Sequence, residues 1–217
     1  PVRYDSNYIY GFSPKENQKK QRIKKSIVTI NDVGLRSQIN WKNNNKDKIV
    51  FIGDSITYGG SYIDDQETFS HLVCEKSIKF ICGNAGVNAY SVINMVMRSK
   101  YDSRFNESKK YIFLVAPEDF SRQYIGANSL HFYLNNKKFL LPAIMEAINF
   151  IATKYDLNKY ISKINDTKIS NQHQRDLIDF SINMLNEEIK RLEKEKKEVF
   201  LFYTIQKNDK KSKRPIN

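Results

Sequence analysis

Ser55 is the residue in this sequence best placed to act as a nucleophile. It lies in Gly53-Asp54-Ser55-Ile56-Thr57-Tyr58-Gly59, directly after the apolar run Ile49-Val50-Phe51-Ile52. A short run that is apolar throughout reads as a strand buried on both faces. The first N–H groups of a helix following that strand have no partner within the helix, and such donors suit a developing oxyanion. Gly53 permits the tight turn between strand and helix. The plain alternative is an ordinary strand-to-helix turn with no chemistry.

A serine nucleophile needs a general base within hydrogen-bond reach. The sequence holds three histidines, His71, His131 and His173. His71 falls well inside a predicted helix and reads as a surface or core-edge residue. His131 lies on a predicted hairpin, and His173 starts the helix before the fourth predicted strand. Both are candidates for a surrogate base. Glu118, Asp119, Arg122 and Tyr124 follow the third predicted strand. Arg122 suits either charge stabilisation in a site or pairing with one of those carboxylates. Cys74 and Cys82 are too few for a disulfide framework or a zinc site, so no metal and no cofactor are expected.

The elements that must position these residues alternate between strand and helix. Ile49–Ile52, Ile78–Cys82, Tyr111–Val115 and Val199–Ile205 read as strands. Thr68–Lys79, Ser91–Lys100 and about Gln172–Lys196 read as helices. In the last of these, Ile178, Ile182, Leu185, Ile189 and Leu192 predict one apolar stripe. Leu130–Leu141 reads as a hairpin turning at Asn135-Asn136, and Pro142 opens a helix to about Tyr155. The aromatic-rich stretch from Phe120 to Tyr160 is either a cap over a ligand or packing for that hairpin. This order predicts an α/β fold with a mostly parallel sheet. Ligands in such folds sit beyond the carboxyl ends of the strands. That rule selects the loops Gly53–Gly60, Asn84–Tyr90 and Ala116–Arg122. Residues 1–47 read as an extended arm with one short strand at Ser26–Ile30. Residues 48–217 read as the domain proper, with an insertion over about 120–165.

The segment Ile49–Gly59 resembles the first block of the SGNH/GDSL hydrolase superfamily. Asn31-Asp32-Val33-Gly34-Leu35-Arg36 resembles the lead-in found in the branch that works in polysaccharide O-acetyl modification. Tyr62–Phe69 and Asn84–Tyr90 continue the likeness, which spans about residues 28–205. The resemblance implies a flavodoxin-like three-layer α/β/α sandwich. It implies an esterase or O-acyltransferase that forms an acyl-serine at Ser55 and acts on an ester such as an O-acetylated glycan. It further implies that Asp54 supports the nucleophile and that Ser55 supplies one oxyanion N–H. Ala89 supplies a second, or Gly86 under a shifted alignment. Asn84 is expected at the substrate, with Arg122 and Tyr124. The sequence departs from the family where Glu118-Asp119 stands in place of an Asn-Asp pair, because a carboxylate opposes an oxyanion. It also carries no Asp-x-x-His, which leads us to expect that this block lies beyond Asn217 and that the chain is truncated. A domain that binds carbohydrate without turnover is the alternative.

The chain has 217 residues and a formal net charge of +12. That charge raises the possibility of a polyanionic partner. The basic clusters Lys19–Lys25, Lys190–Lys197 and Lys207–Arg214 do not interleave with aromatics as a base-stacking surface would. Joint richness in Lys, Asn and Ile matches the residue usage of an AT-rich genome, so no nucleic-acid partner is expected. No apolar run is long enough to span a membrane. Because the first residue is Pro1, a processed leader is compatible with the sequence, and both cytoplasmic and cell-envelope locations fit.

Overall fold

The computed structural model describes residues 2–21, 26–60, 63–126 and 171–204. The expected hairpin at 130–141, the helix from Pro142 and His131 lie outside those residues.

The core of the fold is a parallel sheet. Its four described strands are β5 (Asp47–Gly53), β6 (Phe80–Asn84), β7 (Ser108–Val115) and β8 (Glu198–Tyr203), in the order β6-β5-β7-β8. All three pairings are parallel, with Val50 opposite both Gly83 and Tyr111. The apolar run of β5 is buried on both faces, which is why it lies in the interior of the sheet. Its neighbours lie on opposite sides of it, so the strand order reverses at its carboxyl end. A crevice forms where the order reverses, and that is where ligands bind in open α/β sheets.

Helices cover both faces. On one face, α2 (Phe69–Cys74) packs Phe69 and Cys74 against Ile49, Phe51 and Ile112. On the other, α3 (Val92–Tyr101) and α5 (Asn171–Lys194) enclose the larger core of Val50, Ile52, Phe113 and Val115. Two short helices, α1 (Ser55–Tyr58) and α4 (Pro117–Ser121), leave the ends of β5 and β7. No described helix is long and apolar enough to cross a membrane.

The described residues before β5 are paired and partly buried. Strands β1 (Tyr4–Asn7) and β2 (Gly11–Pro14) pair as one antiparallel ribbon, and β3 (Gln18–Gln21) and β4 (Ile27–Ile30) as another. Phe12, Val33, Leu35 and Trp41 enter the main core. The stretch looks polar because it buries polar side chains too, Ser13, Gln18, Asn31 and Asp32 among them.

In α5 the apolar stripe of the sequence faces the core, with Ile189 packed against it, but polar residues share that inward face. Leu185 and Leu192 are buried, but Ile182 is exposed, and Ser181 and Glu188 point inward. Glu188 is satisfied there by the Ser99 hydroxyl, which donates to it at 2.6 Å, and by two bonds from Arg191. A buried carboxylate is tolerable only with such partners.

The two cysteines are joined. Cys74, at the end of α2, forms a disulfide with Cys82 in β6. The pair makes no framework, but it fastens the helix to the sheet edge.

Candidate active site

Three loops meet at the carboxyl end of the sheet. The first carries Ser55. A Cβ on Gly53 would stand 1.9 Å from Thr57 Oγ1 and 2.7 Å from the Leu114 carbonyl oxygen, so only glycine fits where α1 folds back on its strand. Buried Asp54 caps α1, accepting the Ile56 N–H at 2.8 Å. Gly59 closes the helix with φ of +82°, and its N–H donates to the Ser55 carbonyl. Ser55 itself is exposed. Its hydroxyl is 3.4 Å from Asp54 Oδ2, and its N–H makes no hydrogen bond among the described residues.

The second loop runs from Asn84 to Tyr90. The sequence expectation put Asn84 at the substrate; the structure buries its side chain against the protein. Its amide donates to the Thr57 carbonyl at 2.6 Å and accepts the Gly86 N–H at 2.9 Å. Gly86 lies against α1, where a Cβ would fall 2.3 Å from the Tyr58 nitrogen. Its N–H is therefore engaged. Ala89 is exposed, with φ of +67°, a conformation that favours glycine. The Ala89 N–H makes no hydrogen bond among the described residues.

The third loop is α4 and its exit. Pro117 opens the helix, and buried Asp119 reaches back to accept the Ala116 N–H at 2.8 Å. Arg122 Nη1 donates to Asp119 Oδ1 at 2.9 Å and to the Tyr90 carbonyl at 2.6 Å, and lies 3.7 Å from Asp54 Oδ2. One guanidinium nitrogen thus ties the three loops together, so Arg122 is a partner for the carboxylates. Burial pushes the Asp119 carboxyl up to about 7. The Ala116 N–H and Arg122 oppose that rise, and the charges of Asp54 and Glu118 add to it. Glu118 is half-buried on the same turn. Tyr124, more exposed, donates its hydroxyl to the Ile9 carbonyl of the first ribbon at 3.1 Å.

The histidines separate. His71 sits on α2, 4.0 Å from Glu75, and lines a different cavity of about 190 Å³ with Arg36 and Ser37. His173 is exposed in the first turn of α5. That helix runs back to start the parallel strand β8, so its N-terminal half approaches from the carboxyl end of the sheet. No histidine among the described residues is hydrogen-bonded to Ser55. Among those residues no cluster of three or more His, Cys, Asp or Glu is arranged to hold a metal ion.

Sequence reasoning did not single out Arg36 or Asp65 as site residues. They were present only as letters of the two flanking motifs, and nothing in their spacing shows that they meet.

No family model and no curated protein matches this chain. Among solved structures, it is similar to a protein from Desulfitobacterium hafniense DCB-2 whose description assigns it to lipolytic proteins of the G-D-S-L family. The two are 14% identical, with 72% of this chain and 77% of that one covered and a TM-score of 0.31. It is also similar to AlinE4, an SGNH-hydrolase family esterase, at 16% identity, covering 80% of this chain and 87% of that one, with a TM-score of 0.32. Likeness at this level fixes neither family nor reaction.

Proposed function

We propose that Ser55 is the nucleophile of an SGNH/GDSL-type ester hydrolase or acyltransferase. One observation carries the reading. An exposed serine stands at the start of a helix at the end of an inner strand, with its own N–H and that of Ala89 both unengaged among the described residues. In the reaction, Ser55 Oγ would attack an ester carbonyl as its proton passes to a base. The carbonyl oxygen would gain negative charge, for which backbone donors are suited. Collapse of that intermediate would expel the alcohol, which recovers the proton, and leave an acyl-serine for water or a second hydroxyl to accept. The resemblance of the flanking motifs favours an O-acetyl group on a glycan as the substrate. His173 and His131 are the histidines we assign as candidates for the base.

The experiment is hydrolysis of 4-nitrophenyl acetate by the wild type and by Ser55→Ala, with fluorophosphonate labelling in parallel. Turnover and labelling that both vanish in the variant bear the proposal out; activity that survives the substitution sinks it. The second reading, binding of carbohydrate without turnover, is favoured by Glu118 at the position of the family's amide donor. It predicts that the wild type takes no label yet still binds an oligosaccharide.

A further inference from the structure

The two motifs flanking the nucleophile, Asn31–Arg36 and Tyr62–Phe69, take no direct part in the reaction just described. Their described residues converge on Arg36. The Asn31 side chain accepts the Val33 and Leu35 N–H groups at 3.1 and 3.0 Å, and Gly34 turns with φ of +73°. This compact loop delivers Arg36 to the sheet edge. There its backbone bridges Ile30 of β4 and Asn84 of β6, donating to the Asn84 carbonyl at 2.8 Å.

The Arg36 side chain is fully buried. Nε donates to Asp65 Oδ1 at 2.9 Å. Nη1 donates to the carbonyls of Tyr58 and Gly60 at 2.7 and 3.0 Å, and Nη2 to that of Ile63 at 2.7 Å. The guanidinium also lies 5.3 Å from the centre of the Tyr58 ring. Asp65 is held in turn, its second oxygen accepting the Thr29 N–H at 2.8 Å. A buried guanidinium has to find an acceptor for each donor. Here one of those acceptors is the last carbonyl of α1, the helix that begins at Ser55, and two more, those of Gly60 and Ile63, lie in the segment that follows it.

That helix is a single turn, from Ser55 to Tyr58. One turn is not stable by itself, because nucleation fixes several dihedrals for one hydrogen bond. Its last carbonyls lack helical partners. Asn84 takes the Thr57 carbonyl and Arg36 takes that of Tyr58. A cation at a helix C-terminus is also favoured by the helix dipole.

We propose that Arg36, charge-paired with Asp65, is the positioning residue that holds the one-turn nucleophile helix in place and so sets the direction of Ser55 Oγ. The proposal rests on the reading of Ser55 as the nucleophile. A reacting atom displaced by about 1 Å can lose on the order of 100-fold in rate. The effect of the clamp therefore falls on kcat, since the buried Arg36 side chain spends its bonds on the protein itself.

The test compares the full chain with Arg36→Lys and Asp65→Asn. Asp65→Asn keeps size and the guanidinium, so it remains informative if Arg36→Lys fails to fold. Each is assayed with 4-nitrophenyl acetate well below its melting temperature, and hydrogen exchange is followed by mass spectrometry across residues 53–60. We expect a kcat reduced about 100-fold with KM nearly unchanged. We also expect faster exchange in 53–60 while peptides from β5 and β7 keep their protection. A purely structural role would lower the melting temperature and leave kcat intact in the folded variant, and that result overturns the proposal. The exchange measurement does not need turnover. If the wild type proves inactive, the Ser55 reading fails, and unaltered exchange in 53–60 then overturns the clamp separately.

Discussion

Arg122 Nη1 stands 2.9 Å from Asp119 Oδ1, yet the Asp119 carboxyl is fully buried and its proton affinity is raised, not lowered. Desolvation outweighs the attraction here, because the single cation is shared with Asp54 and the Tyr90 carbonyl. The pairing therefore ties loops together without fixing a charge on Asp119 at neutral pH.

A pH dependence with a definite sign follows. Between the ordinary value of 3.8 and about 7, the folded chain holds a proton on Asp119 that the unfolded chain has released. Stability from this group is complete below the lower value and is lost as pH rises through the upper one. The slope it adds is at most about 1.4 kcal/mol per pH unit. Asp119→Asn mimics the protonated form and keeps an acceptor for the Ala116 N–H. Urea unfolding at several pH values across that window is expected to show this slope in the wild type and its loss in the variant.

The second loop predicts opposite effects for two substitutions of like size. Ala89 occupies the left-handed region, so Ala89→Gly is expected to stabilise the fold by about 1 kcal/mol. Gly86 abuts the backbone of Asp54, Thr57 and Tyr58. Gly86→Ala must push α1 away and is expected to destabilise by about 1–3 kcal/mol, with a fall in any Ser55-dependent turnover. Thermal melts of the two variants check both directions.

The Cys74–Cys82 bridge closes a short loop, with a sequence separation of 8. Such a loop is expected to contribute roughly 2–3 kcal/mol by restricting the unfolded chain. Iodoacetamide treatment of the denatured protein is expected to add no label before reduction and two after it. The double variant Cys74→Ser, Cys82→Ser is expected to melt correspondingly lower.

Several features were legible because they are local. The apolar run Ile49–Ile52, the glycine that follows it and the serine beyond identify an inner strand and the turn at its end. Ser91 before Val92 marks the start of α3, and its side chain does accept from Asn94. Boundaries moved by a few residues where tertiary contacts set them, as in α2, which ends at Cys74 and not at Lys79. The inward face of α5 also carries Glu188, which the apolar pattern does not place there, because it accepts from the Ser99 hydroxyl on α3, a partner far away in sequence.

The sequence by itself determined the alternation of strand and helix, and with it the sheet edge where Ser55 had to lie. Periodicity and turn chemistry operate over a few residues, and those are readable from one chain. The tertiary structure alone decided which polar groups are free. Asn84 and Gly86 looked available in sequence, but each is engaged by a backbone group on α1 or by the other. Arg36 was legible only as the last letter of a motif, but burial obliges its guanidinium to find acceptors, and these include carbonyls of the α1 turn and the loop after it. Desolvation makes a polar side chain take partners from whatever backbone lies against it, and that is set by the packing of the whole fold.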